Sequence, residues 1–304
     1  MAAITAAMVK ELREMTGAGM MDCKKALGET DGNMDEAVEY LRKSGAAKAE
    51  KKASRIAAEG ICRIACDGSK AVVCEVNSET DFVAKNEVFQ EFVQKVADSA
   101  LASGLKGGKD GEDVEALLEK DGLKDLLVEK TAKIGEKLSV RRFERVEADC
   151  IATYIHGGGR IGVLVAAKTP DTGDAIKEAL TNIAMQVAAL SPKFISQKDV
   201  DQAFLEHEKE IIKAQIENDP KEAAKPDKVK EGMIMGRINK EMKEYCLLDQ
   251  VYVKAEDGKQ SVAKYLESVS KDLVIEKFIR FEVGEGMEKK NEDFAAEVAA
   301  QMNA

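Results

Sequence analysis

The sequence predicts an α+β fold whose core consists of two related halves with small antiparallel sheets. Two segments of alternating apolar residues, each broken by a glycine-containing turn, predict β-hairpins over 61–76 and 150–166. Each hairpin is followed by a segment with apolar residues at helical spacing. Two later strands match at three positions, the pairs Phe143/Phe278, Arg145/Arg280 and Glu147/Glu282. The repeated order of elements indicates an internal repeat.

Composition limits the classes of protein that this chain can belong to. The formal net charge of −10 would repel nucleic-acid phosphates, which argues against a DNA partner. No apolar run is long enough to span a membrane, and the N-terminus lacks the pattern of a secretory signal. The six scattered cysteines are typical of reduced thiols. These observations predict a cytoplasmic protein without a membrane-bound segment.

Residues 1–45 have the pattern of three short helices. Thr5 is placed to cap the first helix, and Asn33, with Glu36 three residues later, is placed to cap the third. The glycines at 17 and 19 predict the end of the first helix. The apolar stripe of that helix is Ile4, Met8, Leu12 and Met15. A unit of this size is marginal alone, so we expect it to pack on a neighbour.

The segment 42–55 contains six basic residues opposed only by Glu50. It fits either a solvated helical linker or a tract that faces RNA. No aromatic residues interleave the basic ones, and this favours the linker.

The helices of the two halves carry clear apolar faces, and a third helical segment interrupts the second half. The two faces are Phe89, Phe92, Val93, Val96 and Ala100, and then Ile176, Leu180, Ile183, Ala184 and Val187. An antiparallel helical hairpin is predicted over 199–245, with a turn at Asp219-Pro220. Its predicted inward positions are Phe204, Ile211 and Gln215, then Met235, Ile238, Met242 and Tyr245. The pattern fits a hairpin that projects from the core and one that lies on it.

Enzyme interpretations find little support in the residues. Gly157-x-Gly159-x-x-Gly162 matches a dinucleotide fingerprint in form, but it lies in a hairpin turn and lacks the following helix that the fingerprint needs. The two histidines, His156 and His207, provide little material for a triad or a zinc site. Cys62, Cys66 and Cys74 lack CxxC spacing and fit small apolar residues of a sheet. We therefore expect a protein that is not an enzyme and holds neither a cofactor nor a metal.

The segment 77–86 joins a strand to a helix and contains an aromatic residue in polar company. Thr80 or Asp81 is suited to cap a helical turn. Phe82 is either an exposed anchor for a partner protein or the first residue of the buried stripe, since Phe89 follows it by seven residues. Periodicity alone favours the buried position.

Several segments together resemble the elongation factor Ts family. They are residues 16–27, 77–85, 157–167, 236–237, 247–250 and 279–286, in the order of the family and spread over essentially the whole chain. The resemblance implies an N-terminal three-helix module like a ubiquitin-associated domain, two core subdomains, a coiled-coil arm of the long bacterial form and a C-terminal helix. The implied division is 1–55 for the module and linker, 56–148 for the first half, 149–198 with 246–286 for the second half, 199–245 for the arm and 287–304 for the C-terminal module. The loop at 104–111 matches no functional feature of the family.

The resemblance also implies a function in translation elongation, a stage of protein biosynthesis. Members of the family release GDP from elongation factor Tu, which they bind both with GDP and without nucleotide. The implied residues that disturb the Mg²⁺ site of this partner are Thr80, Asp81, Phe82 and Val83. The implied partner-binding residues are Arg13, Met20, Met21 and His156. Two other hypotheses are an adaptor that uses the N-terminal module without exchange activity and a nucleotide-binding enzyme built on the glycine turn. An exchange factor is expected to bind no nucleotide itself.

Overall fold

The computed structural model describes residues 4–288, and its N-terminal unit is a bundle of three helices. The Thr5 hydroxyl accepts a hydrogen bond from the Met8 N–H, and the Asn33 side chain accepts bonds from the N–H groups of Asp35 and Glu36, so both predicted caps are confirmed. The helices are α1 Ala6–Thr16, α2 Met20–Glu29 and α3 Met34–Lys52. Their shared core is formed by Leu12, Cys23, Ala26, Leu27 and Ala37.

The predicted stripe of α1 is wrong at its last member. Met15 is 59% exposed, whereas Leu12 is fully buried. Thr16 follows Leu12 by four residues and donates a hydrogen bond from its hydroxyl to the Leu12 carbonyl at 2.7 Å. The helix then ends at Gly17, which has a left-handed backbone. The inward position at this end therefore belongs to Thr16, and Met15 is free to face outward.

The first half of the core is an antiparallel sheet covered on one face by helices. The strands are β1 Glu59–Asp67, β2 Lys70–Ser78, β3 Gly107–Gly108 and β4 Ser139–Glu147, in the order β1-β2-β4-β3. The helices are α4 Asp81–Ala84, α5 Glu87–Ser103, α6 Val114–Leu118 and α7 Leu123–Ile134. The predicted apolar face of α5 is buried against β1 and β2. Strand β3 was not predicted: it places two residues of the 104–111 loop beside β4, at Glu144 and Phe143.

The basic tract connects the three-helix unit to the core. Most of it is the second half of α3, as the linker interpretation predicted, but one face of this helix packs on α7. An added Cβ at Gly45 would lie 3.5 Å from the Ala132 Cβ, which shows how close the two helices are. Arg42 binds Asp125 at 2.9 Å. Lys52 donates to the Thr131 carbonyl at 3.4 Å. These basic side chains therefore fasten the unit to the first half.

The second half repeats the arrangement of the first with fewer strands. Both members of the repeat carry an ion pair two residues apart on the last strand, Arg145–Glu147 in the first half and Arg280–Glu282 in the second. The strands are β5 Cys150–His156, β6 Ile161–Lys168 and β7 Val274–Glu282, in the order β5-β6-β7, and the helices are α8 Asp174–Leu190 and α12 Val262–Val269. The predicted apolar face of α8 is buried. The predicted hairpins and closing strands are confirmed.

The two sheets pack face to face, so the core has a helical layer on each outer side. Strands β2 and β6 are buried on both faces because each lies between a helix and the opposite sheet. The shared apolar layer is Cys62, Ala71, Val73, Val146, Leu164, Ala166, Ile279, Phe281 and Val283. Glu75 is fully buried in β2, where it accepts hydrogen bonds from Arg142 at 2.6 Å and from the Gly284 N–H at 2.8 Å. This carboxylate ties the end of the second half to the first sheet.

The insertion in the second half is a pair of helices that pack on each other. They are α9 Gln202–Asn218 and α11 Asp227–Tyr245, joined by the short α10 Pro220–Ala223. Their contact is formed by Ile212, Ile216, Ile238 and Met242, with Phe204 and Tyr245 partly buried. The predicted inward positions Ile211, Gln215 and Met235 are exposed. In α9 the buried positions are Ile212 and Ile216, which follow Phe204 by eight and twelve residues and not by seven and eleven. Near its base the hairpin packs on the turn Leu247–Asp249.

None of the helices described within residues 4–288 combines the length and the apolar character needed to cross a bilayer. The C-terminal helix predicted over 287–304 falls beyond the described residues from 289 onward.

Candidate functional site

The 79–83 loop leaves the end of β2 and is held from below by one carboxylate. Glu136, directly after α7, accepts hydrogen bonds from the N–H groups of Glu79 at 3.1 Å and Thr80 at 3.0 Å. The Thr80 hydroxyl donates to the other oxygen of Glu136 at 2.7 Å. The Ser78 hydroxyl donates to the Thr80 carbonyl at 3.0 Å. The start of the loop is therefore fixed to the first half of the core.

Glu79 adds a second connection on the same side of the loop. Its carboxylate accepts the Lys137 N–H at 2.6 Å and pairs with the Arg55 guanidinium at 3.2 Å. The Lys137 ammonium group in turn donates to the Arg55 carbonyl at 2.9 Å. Arg55 lies just beyond α3, so the loop is connected to the segment that leads to the three-helix unit.

Phe82 lies at the exposed side of this loop. It is 79% exposed, while the neighbouring Val83 is buried against the first core. Asp81 is also exposed and pairs with Lys85 at 3.1 Å. The Lys85 ammonium lies 5.9 Å from the centre of the Phe82 ring. An exposed aromatic ring on a fixed backbone is available for burial by a partner protein, and aromatic residues are frequent among the energetically dominant residues of interfaces.

The buried position that periodicity favours for Phe82 is wrong, and the reason is local. The helix α4 ends at Ala84 before α5 begins. The side chain of Asn86 accepts the N–H of Val88 at 2.9 Å and so caps α5 as a new helix. Because Phe82 and Phe89 belong to different helices, a spacing of seven residues no longer places them on one face. Val83 takes the inward position instead.

A second exposed surface lies at the start of α2. Met20 and Met21 are 59% and 73% exposed, and Arg13 and Met15 of α1 are exposed nearby in sequence. We call these four residues the methionine surface. Methionine side chains adapt their shape to a partner, which suits them to protein contacts. The groove beside this surface has a volume of about 980 Å³ and is bounded by α3 and α7.

His156 and the glycine turn lie near the end of the first sheet from which the 79–83 loop departs. Gly157, Gly158 and Gly159 all have positive φ and form the turn between β5 and β6, which confirms the turn interpretation. A Cβ at Gly159 would lie 3.0 Å from the Cβ of Ile61 in β1. Residue 59 of β1 pairs with residue 78 of β2, just before the loop. His156 is exposed, and its Nδ1 lies 3.1 Å from the Tyr154 hydroxyl.

The structure thus brings the predicted site residues together in two groups. One group is the 79–83 loop, with Thr80, Asp81, Phe82 and Val83, and the separate turn at His156 lies at the same end of the first sheet. The other group is Arg13, Met20 and Met21 on the three-helix unit. The contact of α3 with α7 connects the two groups. Sequence analysis missed Glu136, Glu79 and Arg55, because their contacts join residues 24–58 positions apart and leave no periodic pattern.

Cys62 and Cys74 are buried in the first sheet and fit the sheet interpretation, whereas Cys66 is exposed near the end of β1 and does not. Burial raises the pKa of the Cys74 thiol to about 12 and that of Cys246 to about 11. Burial also raises the pKa of Cys62 well above its ordinary range. Thiols with raised pKa stay protonated near neutral pH and react slowly. In the part of the chain that the structure describes, no group of three or more His, Cys, Asp or Glu side chains is arranged to hold a metal ion.

The exposed apolar side chains on a fixed loop and on a small helical unit offer two surfaces that another protein could contact. Comparison with known families and proteins identifies the class. Residues 79–285 match the family model for elongation factor TS. The chain is 50% identical to elongation factor Ts of Clostridioides difficile strain 630, over 99% of this chain and 100% of that protein. It is 51% identical to elongation factor Ts of Clostridium perfringens strain ATCC 13124, over 97% of this chain and 98% of that protein.

A third relative, elongation factor Ts of Clostridium novyi strain NT, is 48% identical over 99% of both chains. The chain therefore belongs to the elongation factor Ts family, and it is a translation elongation factor. The resemblance of the sequence segments to this family is confirmed.

Proposed function

We propose that this chain is a guanine-nucleotide exchange factor for elongation factor Tu. It binds the GDP-bound partner in the cytoplasm, disturbs the Mg²⁺ and phosphate site of that partner, and releases GDP. The observation that carries the proposal is Phe82, which is 79% exposed on a loop fixed by Glu136 in a member of the elongation factor Ts family.

Phe82 and Asp81 have complementary parts in this function. The ring of Phe82 supplies apolar surface that a partner can bury, and the entropy cost of ordering it is small because the loop is already fixed. The carboxylate of Asp81 pairs with Lys85 across an exposed contact, which costs little to break when a partner arrives. Thr80 and Val83 hold the loop from its inner side, through the Glu136 bonds and the first core.

The methionine surface and His156 are proposed to supply affinity. Met20 and Met21 offer soft apolar contacts, and Arg13 offers a charged group at the edge. These contacts hold the partner while the 79–83 loop acts at a second place. A surface that binds GDP-bound and nucleotide-free partner equally contributes affinity but no exchange, whereas the loop must bind the nucleotide-free form more tightly.

This division follows from the thermodynamics of linked binding. A protein that weakens the affinity of its partner for GDP must itself be bound less tightly when GDP is present, and the two affinities fall by the same ratio. No bond of the nucleotide is made or broken in such a cycle. The proposal therefore assigns the chain no enzymatic reaction, no cofactor and no nucleotide site of its own.

The direct test is the release of labelled GDP from purified elongation factor Tu, followed with and without this chain in the presence of excess unlabelled nucleotide. We expect a faster release that saturates as the chain concentration rises. Direct titration of the chain with GDP should show no binding, and binding would instead support the nucleotide-binding enzyme hypothesis. A chain that binds elongation factor Tu but leaves the release rate unchanged would be the adaptor.

A further inference from the structure

The 79–83 loop has neither a stable helix nor a buried aromatic ring to hold it in place. Helix α4 has four residues, which is too short to be stable by itself. Thr80 occupies its N-cap position, but the Thr80 side chain makes no cap hydrogen bond because its hydroxyl is bound to Glu136. Phe82 is too exposed to hold the backbone, so Val83 is the buried apolar residue of the turn. Apart from the burial of Val83, the contacts that can set the direction of Phe82 are polar.

One carboxylate supplies three of those contacts, all of them just before α4. The two oxygens of Glu136 accept three hydrogen bonds from Glu79 and Thr80, and these bonds are 2.7–3.1 Å long. Two of the donors are successive backbone N–H groups immediately before Asp81. Hydrogen bonds to a charged acceptor are stronger than neutral ones. They fix the backbone where it enters α4, and so they fix the direction in which Phe82 leaves it.

The position of Glu136 depends on α7, which also contacts the three-helix unit. It follows α7, which ends at Gly135 with a left-handed backbone, and α7 packs on α3 of the three-helix unit. The next residue, Lys137, binds the Glu79 carboxylate through its N–H. Residues 136 and 137 thus hold residues 79 and 80 from one side. These hydrogen bonds connect the loop to the end of α7, and α7 packs on the unit that carries the methionine surface.

We propose that Glu136 is a positioning residue that holds the 79–83 loop ready for insertion into the partner, and that through α7 it fixes Phe82 relative to the methionine surface. This inference rests on the proposed function for its link to GDP release. Its structural part, the ordering of the loop by Glu136, stands apart from that function and is tested without a partner.

The chain contains five tyrosines and no tryptophan, so Phe82→Trp places a single tryptophan on the loop, which can be excited selectively at a wavelength that tyrosine does not absorb. We expect high fluorescence anisotropy in this background and a clear drop when Glu136→Ala is added, because the ring then samples many directions. Glu119→Ala is the matched control, since that exposed carboxylate of the same half pairs with Lys124 and does not touch the loop. Unchanged anisotropy in the Glu136→Ala protein would overturn the inference, whatever its exchange activity.

The kinetic test separates positioning from simple binding. At saturating concentration, Glu136→Ala should slow GDP release about tenfold, the size expected for losing hydrogen bonds to a charged group. The concentration needed for half-maximal release should change much less, because the methionine surface is intact. If Glu136→Ala raised only the concentration needed for half-maximal release and left the saturated release rate unchanged, the positioning role would be overturned. If the unaltered chain releases no GDP, the proposed function fails, and the anisotropy result still decides the role of Glu136.

Glu136→Gln guards against a variant that merely unfolds. Its amide oxygen can accept both N–H groups, and its NH₂ group can donate to the Thr80 hydroxyl, so the loop can remain in place. We expect Glu136→Gln to restore most of the anisotropy and of the release rate. If Glu136→Ala lowers the melting temperature far more than Glu119→Ala does, the anisotropy and release rate of the Glu136→Gln protein are used to test the inference instead. A folded Glu136→Gln protein whose loop is as mobile as a free peptide would refute the inference.

Discussion

Replacing Phe82 with alanine separates the two positions that the sequence allows for this residue. The ring is 79% exposed, so the fold covers only about one fifth of it. Full burial of a phenylalanine is worth about 1.5–3 kcal/mol, and one fifth of that is about 0.3–0.6 kcal/mol. No cavity is left behind, because the ring fills none. We expect the free energy of unfolding to change by less than about 1 kcal/mol.

The effect on the partner should be much larger. Truncation of an aromatic anchor at the centre of an interface typically costs about 2 kcal/mol or more of binding free energy, which is roughly a 30-fold loss of affinity. The assays are urea unfolding of the free chain and release of labelled GDP from elongation factor Tu. Asp81→Ala is the companion variant: it removes one partner of an exposed ion pair and should also leave stability nearly unchanged.

Phe92→Ala is the matched control for Phe82→Ala. Phe92 is 1% exposed in the core of the first half, and the same truncation there should cost about 3–5 kcal/mol of folding stability. GDP release should then fall only in proportion to the fraction of unfolded protein. The reasoning is refuted if Phe82→Ala behaves like Phe92→Ala, with a sharply lowered melting temperature and full exchange activity per folded molecule.

Three further predictions test the packing. Replacement of residues 206–240 with a short turn should leave a monodisperse protein by size-exclusion chromatography, since the removed helices pack mainly on each other, and aggregation would show that they cover the core. Glu75→Ala should lower the free energy of unfolding in urea by about 3–5 kcal/mol because it leaves buried Arg142 without its main partner, whereas Glu119→Ala should change it little. The Cys74 thiol has its pKa raised by burial from 9.0 to about 12, so its contribution to stability is complete below pH 9 and is lost as the pH rises toward 12. Urea unfolding at about pH 8 and about pH 10 should show this fall, and the fall should be smaller in Cys74→Ala.

The local elements of this fold could be predicted because each depends on residues close in sequence. Alternating apolar residues and a glycine turn are enough to define the hairpin of β5 and β6. The faces of α5 and α8 follow from a period of 3.6 residues. The packing of one sheet on the other could not be predicted in this way. A Cβ at Gly162 would lie 2.8 Å from Val73 of the other sheet, and nothing in the sequence around Gly162 indicates this contact.

The candidate site was predictable in composition but not in geometry. The resemblance to the family indicated Asp81 and Phe82, whereas the period of the apolar residues favoured a buried Phe82. The structure follows the cap at Asn86, a local feature that periodicity ignores. Glu136 left no trace in the pattern, because its contacts with Thr80 join residues 56 positions apart. Contacts between residues so far apart depend on how the helices and strands pack together. This packing is the part of the fold that is hardest to predict from a single sequence.

The bond from the Gly284 N–H to the buried Glu75 carboxylate has a consequence for how the chain is made. Synthesis delivers Gly284 209 residues after Glu75, with the helical hairpin in between. Until β7 emerges from the ribosome, the second sheet has two strands, and the apolar side of the first sheet lacks Ile279, Phe281 and Val283. Nascent chains fold from the N-terminus as segments become available, so the first half can form while its inner face is still incompletely covered. Strand β7 is therefore the element that closes the core between the sheets.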